Sequence, residues 1–356
     1  VAALTAGLFG SRQGRSTLVL VADIPGGHLA NIDKIEDFPG FPEGIAGYEL
    51  GPKMQEQAAN AGAEFRMAEA QRIVPLPPVL CGRRAERLGA RPETTPRRPG
   101  GVPFESLLSV ANLATVVDPV AADGFSAVPL GEGASTPEWR IVTSDGDVTA
   151  RSAIIATGSH PRKLGLPGEN RFEGRGLSHC ASCDGPLLRG GPAVVVGGGD
   201  SAFMEALTLA EYASEVTIVH NSHAASAQNA YQRRVSEHPK ITIRAGATVD
   251  ELLGDETLTG VRVGQETLPA AGVWVYIGLE PNTAWLQDAL RLTESRHIPT
   301  DVWLQTELPG VFAAGDVRAN SASQAITAAG DGATAAIAAH RYLHTVPSPA
   351  AAGASQ

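Results

Sequence analysis

Two cysteines separated by two residues, Cys180 and Cys183, followed at once by Asp184, are the residues of this chain best placed to do chemistry. The spacing allows an intramolecular disulfide that opens to a pair of thiols. A place at the start of a helix lowers a thiol pKa through the helix dipole. The thiolate is the attacking species, and exchange with another disulfide passes through a mixed disulfide. Asp184 can deliver or remove a proton. The plain alternative is a pair of buried structural cysteines. A CxxC is also half of a zinc site, but the third cysteine, Cys81, stands alone and completes none. His28, His160, His179, His220 and His223 show no metal-ligand spacing, so no metal is expected. His179 adjoins the cysteines and can tune them, whereas His160, His220 and His223 read as surface or loop residues.

A second group is built for phosphate rather than sulfur. Gly197-Gly198-Gly199-Asp200-Ser201-Ala202 fits GxGxxA between a strand at Ala193–Val196 and a helix running to Tyr212. The first glycine permits the tight turn, the second admits a pyrophosphate to the backbone, and the last small residue lets helix and strand pack closely. After the next strand, Val216–Val219, an NAD site places an acid and an NADP site an arginine. Here the stretch is His220-Asn221-Ser222-His223-Ala224-Ala225-Ser226, with neither. Arg233 and Arg234 read as a solvated helix face. The nicotinamide partner stays open between NADPH and NADH.

Other residues could serve a flavin. Pro25-Gly26-Gly27-His28 follows a buried strand, Thr17–Val21, and its glycines could admit a ribose or flavin to the backbone. Asp316 ends a short buried strand, and Gln324-Ala325 opens an Ala-rich helix reaching Leu343.

These residues need two α/β units to position them. Strands at Trp139–Val142 and Val148–Ile155 flank an Asp145-Gly146 turn, and further strands fall near Ile241–Ile243 and Val273–Ile277. The chain opens with a helical pattern at Val1–Gly10 that no strand and glycine turn precedes, as if it began inside a βαβ unit. The stretch from Pro75 to Pro103 holds seven prolines and six arginines, so 75–130 is expected to be a disordered insertion; Cys81 within it reads as incidental, and the tail after His344 as disordered. The 356 residues allow two domains. The formal charge of −10 argues against a nucleic-acid binder, no apolar run reaches the ~20 residues of a membrane helix, and no secretory signal is visible.

Taken together, the segments PGGHLANIDKIEDFPGFPEG (25–44), IIATGSHPRKLGLPGE (154–169), CASCDG (180–185), VVVGGGDSA (194–202) and GVFAAGDV (310–317) resemble the bacterial low-molecular-weight thioredoxin reductases, class II pyridine nucleotide-disulfide oxidoreductases. The resemblance implies an α/β fold of two three-layer, Rossmann-like nucleotide-binding domains. An FAD domain (1–160 and 279–356) is interrupted by a nicotinamide domain (161–278) that carries the CxxC. It implies that Cys180 attacks the substrate disulfide, Cys183 takes electrons from FAD, and Asp184 handles the proton. It assigns Pro25, Gly26, Gly27, His28, Asp37, Thr157, Gly158, Asp316, Gln324 and Ala325 to FAD. Gly197, Gly198, Gly199, Asp200, Ser201, Ala202 and His220 go to NADPH or NADH. It further implies rotation between the domains, a cytoplasmic homodimer and thioredoxin as partner. The sequence departs from the family in four places. The N-terminal GxGxxG is absent, HRRxxxR keeps only His220, Arg-Gln-Ala has become Ser323-Gln324-Ala325, and 75–130 replaces a short hairpin. Two other readings remain open at this point: a flavin dithiol oxidase without nicotinamide, and a non-catalytic remnant of the fold.

Overall fold

The computed structural model describes residues 1–76, 113–119, 138–286 and 289–345, which form two large sheets, a three-stranded meander and a two-stranded ribbon. Helix α1 (Ala2–Arg12) leads into β1 (Thr17–Val21), whose five residues are all buried, as a run of apolar and β-branched side chains between two layers requires. A 3-10 turn at Gly27–Asn31 precedes α2 (Gly47–Asn60), then β2 (Glu64–Met67), β3 (Ala70–Pro75), β4 (Leu113–Pro119), β5 (Trp139–Thr143) and β6 (Val148–Ile155). The first sheet runs in the order β2-β1-β4-β6-β5-β3.

Strand β4 corrects the expectation for 75–130. Its seven residues lie between β1 and β6 and pair antiparallel with both. The Leu-Ala-Thr-Val-Val run has the β-branched, apolar character that a two-sided strand needs, and the surrounding proline-rich composition hides it. The rest of 75–130, with Cys81, and the tail beyond residue 345 lie outside the described residues.

The chain leaves the first sheet through β7 (Ser159–Pro161) and α3 (Glu169–Phe172), then forms β8 (Leu177–Ser178), α4 (Ala181–Asp184) and β9 (Ala193–Val196). Next come α5 (Asp200–Tyr212), β10 (Val216–His220), α6 (Asn229–Ser236) and β11 (Ile241–Ala245). A meander of β12 (Glu251–Gly254), β13 (Leu258–Val263) and β14 (Glu266–Pro269) precedes β15 (Gly272–Val275). The second sheet is wholly parallel, in the order β11-β10-β9-β15-β8. Its two faces follow the period of two along each strand. Val195, Ile218 and Trp274 pack under α5 and α6 with Phe203, Leu209 and Val235. Val194, Val196, Val219 and Val273 meet the meander through Leu252, Leu258 and Val261.

The return passes through β16 (Leu279–Pro281), which pairs antiparallel with β7. The two passages of the chain between the sheets therefore run side by side. Strand β17 (Val311–Ala313) then joins β6 in parallel, and α7 (Ala325–Thr345) packs with α1 over Val19, Val21, Ile154 and Phe312. On the other face Leu18, Leu20, Ile155 and Val311 meet Ile73, Trp139 and Ile298. The parallel sheet is thus the middle of three layers, and the second face of the first sheet is covered by its own β3 and β5 together with the segment around Ile298.

Candidate active site

Cys180 and Cys183 form a disulfide with their Cα atoms 5.3 Å apart. Cys180 leads into α4, which is a single turn of four residues, so the longer helix dipole expected from sequence is not there to act on the thiol. Local donors act instead: the Cys183 amide donates to Cys180 Sγ at 3.2 Å, and the Ser182 hydroxyl lies 3.6 Å from it. Both would favour a thiolate at Cys180 over one at Cys183. Cys180 is 8% exposed and its sulfur packs 3.6 Å from the Asn31 carbonyl of the first unit, while Cys183 is exposed. Asp184 Oδ2 accepts from the Ser178 hydroxyl at 2.5 Å, and that same hydroxyl oxygen accepts the Cys180 amide at 3.1 Å. Ser178 therefore ties the carboxylate to the backbone of the first cysteine, a role that a lone serine in sequence does not announce.

His179 meets the Glu173 carboxylate at 3.5 Å and faces the Val275 carbonyl. Burial disfavours its imidazolium, but the Glu173 carboxylate and that carbonyl outweigh burial and raise its pKa. His28, across the junction, is pushed down by burial and by the charge of His179. Behind α4 lies a carboxyl that sequence reasoning missed. Glu205 on α5 is 6% exposed, and its Oε2 accepts the Ala181 amide at 2.9 Å. Burial raises its pKa from 4.5 to about 7, against the pull of the Ala181 amide and the Tyr276 hydroxyl and with help from Asp33. Unfolded, this carboxyl ionises at its ordinary value; folded, it waits until about pH 7. Its share of stability is therefore intact below pH 4.5 and lost as pH rises through 7, by about 3 kcal/mol in all. Thermal melts of wild type and Glu205→Gln from pH 4 to 8 check this. The variant should lose less stability over that range, and parallel curves would contradict it.

The glycine turn lies between β9 and α5, as its sequence implies. A Cβ at Gly197 would stand 2.2 Å from the Tyr276 carbonyl oxygen, so only glycine fits there. A Cβ at Gly198 would meet the His220 ring at 3.1 Å, and at Gly199 the nearest atom is 3.8 Å away, which leaves that face open. Ala202 is fully buried, and Ser201 is exposed. His220 is not the surface residue its neighbourhood suggests: it ends β10, is 5% exposed, and its Nδ1 has no hydrogen-bond partner. An orphaned buried nitrogen beside an open glycine turn fits a dinucleotide. Asn221, Ser222 and Ser226 around it are exposed and uncharged. Arg234 is more than a solvated charge, since it pairs with Glu36 of the first unit at 2.7 Å.

The residues expected to hold a flavin sit along the first unit's side of the junction. Gly26 and Gly27 have φ of 103° and 63°, in the left-handed region that favours glycine. Pro25 and Gly26 pack on α2, where a Cβ at Gly51 would stand 2.4 Å from the Pro25 carbonyl oxygen. Asp37 accepts from Gln228 at 3.3 Å, and Gln324, next to Ala325 at the start of α7, donates to Asp200 at 3.3 Å. Thr157 is buried and exchanges hydrogen bonds with Asn282, whose amide also donates to the Gly158 carbonyl. Asp316 follows β17; burial raises its pKa, and the Ser321 hydroxyl opposes the rise. Gly315 and Arg318 are both anchored to Asp331, the arginine at 2.6 and 3.0 Å, which fixes the turn carrying Asp316. The structure thus brings the cysteines, the loop 25–31 and the glycine turn to one junction. The left-handed glycines of the first unit, the open Gly158 position and the half-buried Asp316 carboxyl fit a bound dinucleotide.

A family model for pyridine nucleotide-disulphide oxidoreductases matches residues 44–332. Thioredoxin reductase of Listeria monocytogenes is 33% identical, over 96% of this chain and 91% of its own length. That of Bacillus subtilis is 32% identical over 96% and 92%. The crystal structure of Lactococcus lactis thioredoxin reductase superposes with a TM-score of 0.77 at 30% identity, covering 97% of this chain and 96% of that one. The T. acidophilum thioredoxin reductase gives 0.74 at 28%, covering 96% and 95%. Fold and site together define an oxidoreductase that acts on disulfides. Within that class the chain belongs to the thioredoxin reductase family. Among the described residues no helix is long and apolar enough to cross a membrane.

Proposed function

We propose that the chain is an FAD-dependent thioredoxin reductase, passing electrons from NADPH or NADH to the Cys180–Cys183 disulfide and on to thioredoxin or a similar dithiol protein. The observation that carries this reading is the disulfide at the junction of two nucleotide-type units, with Cys180 covered by Asn31 and Cys183 open. Residues 1–160 with 279–356 form the FAD domain and 161–278 the nicotinamide domain, divided at the β7–β16 ribbon. Pro25, Gly26, Gly27, His28, Asp37, Thr157, Gly158, Asp316, Gln324 and Ala325 would hold FAD. The turn Gly197–Ala202 and His220 would hold the nicotinamide nucleotide. When bound, FAD supplies a two-electron carrier between nicotinamide and disulfide.

Cys180, reduced, attacks the substrate disulfide as thiolate, favoured by the Cys183 amide and the Ser182 hydroxyl. Cys183 then resolves the mixed disulfide, and the Cys180–Cys183 bond closes again. Asp184, held by Ser178, supplies and recovers the proton. Because Asn31 covers Cys180, a protein substrate reaches it only when the two units separate, which supports the domain rotation the family resemblance implies. Cysteine usage and charge suit a cytosolic chain, and the homodimer rests on the family resemblance alone. NADPH- or NADH-dependent reduction of thioredoxin tests the reading, and no turnover with either would overturn it.

The exposed, uncharged Asn221, Ser222 and Ser226 offer no cation to a 2′-phosphate. Replacing all three with arginine should tighten NADPH over NADH by about tenfold or more, at 1.4 kcal/mol per decade. Binding titrations with both nucleotides measure it, and unchanged NADPH affinity would mean the missing arginines are not what limits it.

A further inference from the structure

Two carboxyl groups flank the disulfide, and the mechanism above uses only one. Asp184 stands on α4 itself. Glu205 comes from behind, on the second turn of α5, and holds the amide of Ala181, the residue next to Cys180. Its other side lines a cavity of ≈ 470 Å³ between α5, α6 and the loop after Asn31. One buried carboxyl thus connects a solvent-reaching cavity with the backbone of the disulfide.

We propose that Glu205 is a positioning residue whose ionisation is coupled to the disulfide centre: it anchors the peptide joining Cys180 to Ala181 and takes up a proton from this cavity when the Cys180–Cys183 bond is reduced. The inference rests on the disulfide being redox-active. Two electrons, delivered by the reductase reaction, break the S–S bond and leave two negative charges on sulfur. Protons from water balance them: one goes to a sulfur, and the charge remaining on the other raises the proton affinity of Glu205, which fills from the cavity. Reoxidation closes the S–S bond, passes both electrons to the substrate disulfide and returns these protons.

The surroundings suit the role. Tyr276 places its buried hydroxyl beside Glu205 without a well-formed hydrogen bond, and burial, Glu205 and Asp184 together push its own ionisation well above the ordinary range. A phenol that stays protonated at working pH is a donor ready to turn toward a carboxylate. From the loop, Asp33 faces Glu205 and raises its proton affinity, while Lys34 pairs with Glu36, and Glu36 with Arg234 of α6. Glu237 and His238 close the cavity beyond α6, and Glu211 lies along α5. The strongest cations at its rim are thus already matched to an acid, which leaves Glu205 free to change charge.

The test is the thiol–disulfide equilibrium of the full chain with dithiothreitol from pH 5.5 to 9, in wild type and Glu205→Gln, read by thiol alkylation. Glutamine keeps an oxygen for the Ala181 amide and cannot titrate. The wild-type reduction constant divided by that of the variant should be flat below about pH 6 and then fall by about three- to tenfold by pH 9. A flat ratio across the range overturns the coupling and leaves Glu205 an anchor alone. A disulfide that dithiothreitol cannot reduce in either protein overturns both the coupling and the reductase reading. Should Glu205→Gln fail to fold, infrared difference spectra of wild type and Asp184→Asn decide. A protonated-carboxyl band gained on reduction near pH 7 in both supports the coupling, and its absence from both, or its loss in Asp184→Asn, contradicts it.

Discussion

Cys180→Ser stops electron transfer to a protein disulfide while leaving reduction of the flavin by nicotinamide unchanged. The serine hydroxyl supplies no thiolate at neutral pH, so the mixed disulfide with substrate cannot form. Loss of the attacking group predicts a fall in turnover on the order of 10³-fold or more. Unfolding does not account for such a fall. The bond closes a loop with a sequence separation of only 3, which is worth about 2 kcal/mol of chain entropy. Thioredoxin-coupled turnover, measured beside flavin bleaching, separates the two steps. Turnover at the wild-type rate would remove the disulfide from the reaction.

Gly47→Ala should lower stability by about 4 kcal/mol or more, although it adds one methyl group to a helix. A Cβ at Gly47 would stand 1.7 Å from the Leu29 carbonyl oxygen and 3.1 Å from that of Ile32. Both are backbone atoms, so the loop itself would have to move, and this loop carries Gly26, His28 and the Asn31 carbonyl that covers Cys180. A melting temperature lower by about 10 °C is the expected reading. Gly330→Ala, in α7 with no atom within 4 Å of the added Cβ, should hold or slightly raise stability. Equal melting of the two variants would contradict the packing argument.

The sequence carried the fold wherever one residue pattern met one structural demand. Thr17–Val21, Ala193–Val196 and Val216–His220 are mainly buried runs, and all became strands between two layers, the last two with parallel neighbours on both sides and the first with one parallel and one antiparallel neighbour. The disulfide and the glycine turn were legible because few other arrangements need those residues at that spacing. What stayed hidden depends on distant neighbours. Leu113–Pro119 is a strand because β1 and β6 flank it, which local composition does not express. The meander at 251–269 consists of strands too short for a clear alternation, and it was not anticipated. His220 reads as the first residue of a polar loop, yet its ring folds back on Gly198 and is buried. Glu205 looks like one more charge on an amphipathic helix, and only the packing of α4 against α5 turns it inward.

The central claim is that nicotinamide, flavin and the Cys180–Cys183 pair form one electron path. The anaerobic visible spectrum of the purified chain supplied with FAD, taken before and after NADPH or NADH, tests it most directly. Bleaching of a bound flavin by at least one nucleotide is the predicted result. A bound flavin that ignores both nucleotides but is reduced by a dithiol would contradict the claim and point to a dithiol oxidase.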